Sequence, residues 1–226
     1  MLERIRRLVP VVLLGLAVSP ALHAQGPERG ISISVSGSGF VAGESGPTVV
    51  PAPIHPETGF EDTFGTGVGI SAQYFRQMGA AFRWQVGLIH RRWPGQYFEG
   101  GEFQPGWQFG AAGRFDDLAL TGAYAGVSVI RPPGPKLRPF ASLDLAVVRI
   151  SELNVTVSGD SEQYWKSATK DFLVLKGGIT YRVSDRTAVL IHAGASILGQ
   201  PDSVDVFAGA TAGTAADVGI GIDYTF

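Results

Sequence analysis

The last nine residues of the chain alternate between apolar side chains and small or polar ones. Val218, Ile220, Ile222, Tyr224 and Phe226 take the even positions, and glycine, aspartate and threonine lie between them. A period of two residues predicts a β-strand with one apolar face. Chain ends usually fray into water, so a strand that stays apolar up to a terminal aromatic is unusual in a soluble protein. The pattern predicts a face in lipid and an aromatic end at a membrane–water boundary.

The same alternation recurs along the chain and predicts about eight strands. They cover residues 31–40, 67–74, 80–88, 117–130, 137–150, 171–183, 187–198 and 218–226. In the fourth strand the phase stays open, because Ala123 and Val127 on one face compete with Leu118, Leu120 and Tyr124 on the other. The pattern predicts an all-β protein.

The connections between these strands alternate in length. Long segments cover about residues 41–65, 92–116, 151–170 and 199–209, and short turns lie at about 76–79, 132–135 and 184–186. Long loops at one end and tight turns at the other are typical of outer-membrane barrels. Both chain ends then fall on the side of the short turns.

These features resemble the outer-membrane β-barrel proteins of Gram-negative bacteria, in particular the small OmpA/OmpX/OmpW-like barrel domains. The resemblance implies a closed antiparallel transmembrane β-barrel with eight strands in an up-and-down meander. It also implies that the final strand, with Val218, Ile220, Ile222, Tyr224 and Phe226, is the signal that the barrel-assembly machinery reads. The expected location is the cell outer membrane, among its lipid and lipopolysaccharide, and the expected state is a monomer.

The N-terminal segment has the features of a secretory signal. Arg4, Arg6 and Arg7 precede an apolar run of about eleven residues, too short to span a bilayer. Ala24 follows at a suitable cleavage position. We therefore expect a signal peptide over residues 1–24 and a single barrel domain over 25–226.

Composition excludes several function classes. Lys and Arg number 18 against 20 Asp and Glu, so no overall field favours nucleic acid. Cysteine is absent, which removes disulfides, thiolate nucleophiles and Cys-ligated zinc. No residue spacing indicates a cofactor or a metal.

The face of the strands opposite the apolar one carries charged residues, and we expect these residues inside the barrel. This expected interior polar network is Arg83, Asp144, Lys176, Arg182, His192 and Asp223. The depths of Asp144 and Lys176 on neighbouring strands predict an ion pair, with Asp223 near Arg83 and Arg182. Buried charges need partners. The network either holds the barrel shut or lines a narrow gated conduit.

Cations and aromatics at the strand ends predict contacts with the membrane. Arg91, Arg92 and Arg149 lie at the long-loop ends and are candidate contacts for lipopolysaccharide phosphates. Two aromatic belts are expected, one near the short turns and one near the long loops. The second belt would include Trp93, Tyr97, Trp107, Tyr164 and Trp165.

Two catalytic or binding motifs fail on their context. The run Gly67 to Ala72 matches a dinucleotide-binding pattern but lies inside a predicted strand. His192 and Ser196 share a face, yet four residues along a strand separate them by about 13–14 Å, too far for a nucleophile and its base.

The function that we expect is non-enzymatic, a structural or surface-contact role through the long loops. Alternatives are a small pore for ions or small apolar molecules and a lipid A-modifying barrel enzyme. A soluble lipocalin-like barrel would reverse the faces, with the apolar side chains inside.

Overall fold

The computed structural model describes residues 28–45, 59–79, 81–98, 101–104, 107–109, 113–131, 136–157, 159–202, 204 and 210–226. The expected signal peptide lies outside the described residues, as does much of the first long loop. Among the described residues no helix is both long and apolar enough to cross a membrane.

Strands account for nearly all of the regular structure. In chain order they are β1 (Arg29–Ala42), β2 (Gly67–Met78), β3 (Phe82–Trp93), β4 (Tyr97–Phe98), β5 (Gly101–Gln104), β6 (Trp107–Phe109), β7 (Gly113–Phe115), β8 (Leu118–Ile130), β9 (Leu137–Ile150), β10 (Leu153–Val157), β11 (Asp160–Trp165), β12 (Ala168–Arg182), β13 (Thr187–Leu198) and β14 (Gly213–Thr225). One short helix, α1 (Phe60–Thr63), lies between β1 and β2.

The eight long strands form a closed antiparallel barrel. The order is β1-β14-β13-β12-β9-β8-β3-β2, and β2 pairs with β1 to complete the ring. Each long strand therefore pairs with the long strands before and after it, which confirms the predicted up-and-down meander. The first and last strands close the barrel with Ile33 opposite Ile222 and Val35 opposite Ile220. Closure leaves no free sheet edge in the wall.

The predicted apolar face of each barrel strand points outward. Ile220 keeps 56% of its surface exposed and Leu145 keeps 65%, whereas Asp144 on the other face of β9 keeps 1%. The sequence left open which face of β8 points inward. The structure shows that it is the face with Leu118 and Tyr124, which are buried inside the barrel. We call the outward band of apolar side chains the girdle.

Some strands extend beyond their predicted ends. The predicted short turn after β2 is present but begins at Gly79 rather than at Arg76, because β2 continues to Met78 with Phe75 and Gln77 facing inward. Polar side chains such as Gln77 are compatible with a strand wherever the barrel interior is polar. The bounds of β9 and β13 agree with the prediction.

Two smaller sheets stand at the end of the barrel that carries the long connections, which we call the loop end. β11, β10, β7 and β4 form a four-stranded sheet, and β5 pairs with β6. The opposite end, with the short turns, is the turn end. The sequence predicts only polar loops in these segments.

Candidate functional site

Two ion pairs cross the lumen between the same two strands. Arg83 Nη1 of β3 lies 2.8 Å from Asp223 Oδ2 of β14, and Arg91 Nη1 lies 2.6 Å from Asp217 Oδ1. β3 and β14 are separated by β1 and β2 around the ring, so each pair spans the interior. Arg91 also donates to Ser196 Oγ at 3.0 Å. The pairs brace opposite walls of the barrel.

Asp144 is the centre of a second polar cluster at mid-depth. Its carboxylate lies 2.9 Å from Lys176 Nζ, and Gln85 Nε2 donates to it at 2.5 Å. Lys176 is opposite Ser142 rather than Asp144, so the ion pair is a diagonal contact between neighbouring strands. Asp144 keeps 1% of its surface exposed, so these partners are essential to its burial.

A glycine makes room for this carboxylate. A Cβ atom on Gly126 would lie 2.0 Å from Asp144 Oδ1 and 2.6 Å from the carbonyl oxygen of Leu143. No side chain fits there without displacing the carboxylate and the backbone. The inward glycine of β8 is therefore part of the Asp144 cluster.

The remaining two residues of the expected interior network also face inward. His192 is buried and lines the mid-depth cavities with Lys176. Arg182 is half-buried and lines the turn-end cavity with Asp223, whose ion pair is made by Arg83.

The structure keeps Ser196 and His192 apart along β13. Ser196 is bonded to Arg91, four residues along β13 from His192. Within the described residues no group of three His, Asp or Glu side chains could hold a metal ion.

Small polar cavities lie in the described interior. Three of them have volumes of about 30, 40 and 20 Å³. About 10–15 Å³ is needed for one water molecule, so each cavity has room for only a few waters. Their walls are hydroxyl, amide and charged groups, and the side chains of the network separate them.

The lumen is closed at the loop end by an apolar cluster. Phe60 of α1 packs against Phe40 at a ring-centroid distance of 4.6 Å and against Trp165 at 5.5 Å, and Phe40 lies 5.0 Å from Trp93. We call this cluster the plug. Its other buried members are Phe64, Leu118, Leu120, Val148, Ile150, Leu153, Phe172, Val174 and Leu198.

The plug corrects the expected loop-end aromatic belt. Trp93 keeps 0% of its surface exposed and Trp165 keeps 1%, so both point into the barrel mouth rather than at lipid. Tyr97 is exposed, Tyr164 packs against the plug, and the Trp107 side chain lies outside the described part. At the turn end the predicted belt is present, with Phe82, Tyr181, Tyr224 and Phe226 exposed on the outer wall.

The structure also corrects the position of Arg91. This residue keeps 4% of its surface exposed and faces the lumen, so it cannot contact lipopolysaccharide from the folded barrel. Arg92 and Arg149 are exposed on the outer wall near the loop end. Arg92 Nη2 pairs with Asp117 Oδ2 at 2.6 Å, and Arg149 Nε donates to Ser167 Oγ at 3.2 Å.

Sequence reasoning missed Asp217, Gln85 and the plug. Asp217 is an even number of residues from Asp223 and therefore faces inward with it. It lies one residue before the predicted final strand, 218–226. The available signal for the plug was the loss of alternation at strand ends: at 145–150 both faces of β9 are apolar apart from Arg149. Apolar residues on the second face need an apolar covering as well, and inside the barrel the plug supplies it for Ala146, Val148 and Ile150.

The described parts of residues 43–66, 94–117, 151–167 and 199–212 form a bonded unit, which we call the loop crown. Trp165 Nε1 donates to the Ser45 carbonyl at 3.0 Å, and Thr211 N–H donates to the Glu44 carbonyl at 2.8 Å. Gln96 N–H donates to the Thr63 carbonyl at 2.8 Å, which joins the first two connections. All four long connections are thereby tied to one another or to the plug.

Asp117 fixes the point where the loop crown joins β8. The backbone N–H of Gly95 donates to Asp117 Oδ1 at 2.9 Å, and Arg92 Nε donates to Oδ2 at 2.9 Å. The Gly95 hydrogen bond, with that from Arg92 and the positive charge of Arg114, lowers the pKa of Asp117 below its ordinary value, against a smaller opposing effect of burial.

A closed eight-stranded ring, an outward apolar girdle and an inward ionic network define the class: the chain has the fold of a small outer-membrane-type β-barrel. No family model and no curated protein matches the sequence. Solved structures do match. Neisserial surface protein A is similar with a TM-score of 0.51 and 10% identity, covering 91% of this chain and 100% of that one. This likeness supports the fold.

Two further solved structures match less well. Ail, the attachment invasion locus protein of Yersinia pestis, in complex with the heparin analogue sucrose octasulfate, has a TM-score of 0.46 and 14% identity over 89% of this chain and 100% of that one. The outer membrane protease OmpT from Escherichia coli has a TM-score of 0.47 and 10% identity over 92% and 99% of the two chains.

Proposed function

We propose that the protein is a non-enzymatic, monomeric integral protein of the outer membrane that presents the loop crown outside the cell as a contact surface. The observation that supports this proposal is that apolar side chains lie on the outside of the barrel and charged side chains on the inside, the reverse of a soluble protein. Ile220, Ile222 and Leu175 are about half exposed on the outer wall, whereas Asp144, Asp217 and Asp223 are buried within. In water the exposed apolar band would be far larger than the patches that soluble monomers tolerate. Hydrocarbon around the girdle removes that cost.

The loop crown suits a contact role because it is pre-organised. Hydrogen bonds link its connections, and its four-stranded sheet buries Leu153 and Val155 on the side of the plug. The other face carries a row formed by Tyr97, Arg114 and Thr156. A surface that is ordered before binding loses less conformational entropy on binding.

The blocked lumen argues against the pore alternative. The ion pairs between β3 and β14, the Asp144 cluster and the plug lie one above another along the interior. A conducting path would require several buried ion pairs and the aromatic plug to open together, and breaking one buried pair costs about 3–5 kcal/mol.

The proposed partners follow from the outer wall. Arg92 and Arg149 lie where lipopolysaccharide phosphates would meet the barrel, and Arg-phosphate contacts are strong. In the proposed assembly route, the outward residues of β14 are offered to the barrel-assembly machinery before β14 pairs with β1.

Sidedness can be tested by labelling single cysteines, because the natural chain has none. We propose Thr156→Cys in the loop crown and Lys136→Cys at the turn end as a matched pair. On intact cells a membrane-impermeant maleimide should label the first, and it should label the second only after the outer membrane is permeabilised. The reverse pattern, or equal labelling of both, contradicts the proposal. Planar-bilayer recordings should show no steady conductance, and a stable open state would favour the pore.

A further inference from the structure

Two arginines stand directly opposite each other on the outer wall at the turn end. Arg29 of β1 is the register partner of Arg76 of β2, and both side chains are exposed. Side chains so placed have Cβ atoms about 4.5–5.5 Å apart, and like charges there are destabilising. Among the described residues neither arginine makes an ion pair. Glu28, the neighbouring acid, lies 3.8 Å from Arg138 instead.

Aromatic rings flank this pair on both sides. The Arg29 guanidinium carbon lies 5.7 Å from the centre of the Phe226 ring, and Phe226 N–H donates to the Arg29 carbonyl at 3.0 Å. On the other side Arg76 is opposite Trp84, whose ring centroid is 5.5 Å from that of Tyr74. Aromatic rings of this kind sit at the headgroup level of a bilayer. The two charges are therefore at the depth of lipid phosphates.

An apolar track leads from the arginines into the girdle. The next outward row of side chains is Tyr224, Ile31, Tyr74 and Val86, and the row after it is Ile222, Ile33, Ala72 and Leu88. Acyl chains extending from a headgroup held at Arg29 and Arg76 would lie along these rows. The two arginines and the apolar rows below them thus follow the same order as the phosphate and the acyl chains of a phospholipid.

The surrounding charge favours a net negative lipid. Arg131, Lys136 and Arg186 are exposed at the same end of the barrel. Among the described residues there the acids outside the lumen are Glu28 and Asp185, while Asp223 is buried and paired with Arg83. Described acids are instead concentrated at the loop end, where Glu61, Asp62, Asp116, Glu152 and Asp160 lie. An anionic headgroup is therefore attracted to the turn end.

We propose that Arg29 and Arg76 form a site for the phosphate of one anionic phospholipid, bound from the leaflet at the turn end of the barrel. The site rests on the proposed function, because it needs the girdle to be in a bilayer. A headgroup phosphate between the guanidinium groups accepts charge-assisted hydrogen bonds from both and removes their mutual repulsion. Phe226 flanks Arg29, and Trp84 stands opposite Arg76 on the neighbouring strand.

The test measures lipid enrichment around the full chain. The protein is inserted into nanodiscs of phosphatidylcholine mixed with phosphatidylglycerol, and native mass spectrometry counts the lipids that stay bound after release. One Arg contact at a bilayer surface corresponds to roughly fivefold in binding. The double variant Arg29→Gln with Arg76→Gln should therefore lower phosphatidylglycerol enrichment by about tenfold or more. The control, Arg131→Gln with Lys136→Gln, removes the same charge from the same end and should keep most of the enrichment.

Melting temperatures give a second readout that misfolding cannot imitate. In a non-ionic detergent without phosphate the Arg29→Gln, Arg76→Gln variant should melt no lower than the wild type, because like-charge repulsion is gone. Phosphatidylglycerol should raise the melting temperature of the wild type and not of the variant. Equal enrichment in the variant and the wild type, or equal losses in both double variants, overturns the site. A chain that inserts without any lipid preference overturns the site alone, whereas a chain that stays soluble without lipid overturns the proposed function as well.

Discussion

Arg91 of β3 and Asp217 of β14 meet inside the barrel with Nη1 and Oδ1 2.6 Å apart. The same two strands are joined nearer the turn end by Arg83 and Asp223. These pairs connect walls that are not neighbours in the sheet, so they set the width of the lumen as well as neutralising its charge. The Arg91–Asp217 pair also lies next to the plug, because the Arg91 guanidinium carbon is 5.1 Å from the centre of the ring of Phe172, which is a plug residue.

Breaking this pair should be costly. Asp217→Ala leaves the Arg91 guanidinium buried without its carboxylate, and we expect a loss of about 3–5 kcal/mol in the free energy of unfolding. Urea titration followed by the gel shift between folded and heated barrel measures this loss. Asp160→Ala, an exposed acid on β11, should change stability by less than about 0.5 kcal/mol. Replacing both members, Arg91→Met with Asp217→Leu, should recover most of the loss. Equal stability of the Asp217→Ala and Asp160→Ala variants would show that the brace contributes nothing.

Space inside the barrel should be as critical as charge. Gly126→Ala would place a Cβ 2.0 Å from Asp144 Oδ1, and we expect overpacking to cost about 1–3 kcal/mol. Gly39→Ala is the matched control, since a Cβ there meets nothing within 4 Å. It should be neutral or stabilising by about 0.5 kcal/mol, because alanine loses less entropy on folding. The same urea titration compares the two variants, and a tolerated Gly126→Ala would contradict the packing around Asp144.

The plug should govern the order of the loop crown. Trp165→Ala removes a buried ring that packs on Phe60 and Phe64, and losses of about 3–5 kcal/mol are typical of such changes. We expect faster proteolysis of the crown on intact cells, while the protected barrel fragment persists. Trp165→Phe keeps an aromatic ring and loses the hydrogen bond to the Ser45 carbonyl, at a cost of about 1 kcal/mol. If alanine and phenylalanine give the same cleavage rate as the wild type, the crown does not depend on the plug.

Acid should loosen the junction at Asp117. Because the pKa of this carboxyl is lowered in the folded protein, its contacts are fully present above the ordinary value of 3.8 and are lost as pH falls through the lower folded value. Hydrogen exchange at the Gly95 amide should therefore stay slow through mildly acidic pH and accelerate only below that ordinary value. In Asp117→Asn the acid-dependent step should disappear. A step at the ordinary pKa in the wild type would mean that Gly95 and Arg92 do not hold the carboxylate.

The sequence was sufficient wherever one apolar face runs along a strand between clear breaks. β9 and β13 have their predicted bounds, because each keeps such a face between flanking segments of proline, glycine or polar residues. The diagonal Lys176–Asp144 contact follows from parity and depth alone. In each case the signal lies within one strand or two neighbours in the chain.

The remaining features of the interior depend on contacts between distant strands, which only the closed ring brings together. The sequence predicts Arg91 at a long-loop end, because the apolar face of β3 is last seen at Leu88, although its parity with Arg83 and Gln85 places it on the inward face. Its partner Asp217 lies 126 residues away, and only the pairing of β1 with both β14 and β2 brings them to the same depth. The plug likewise combines residues from α1, six barrel strands, β10 and β11, a set that no local pattern reveals.

The central claim is that the girdle lies in hydrocarbon, and nitroxide labels at Leu175→Cys and Ile220→Cys test it most directly. In lipid vesicles both labels should collide readily with oxygen, which concentrates in the bilayer, and poorly with a water-soluble nickel complex. A label at Thr156→Cys in the loop crown should show the opposite preference. Labels at Leu175 and Ile220 that meet nickel as freely as the label at Thr156 would place the girdle in water and contradict the account.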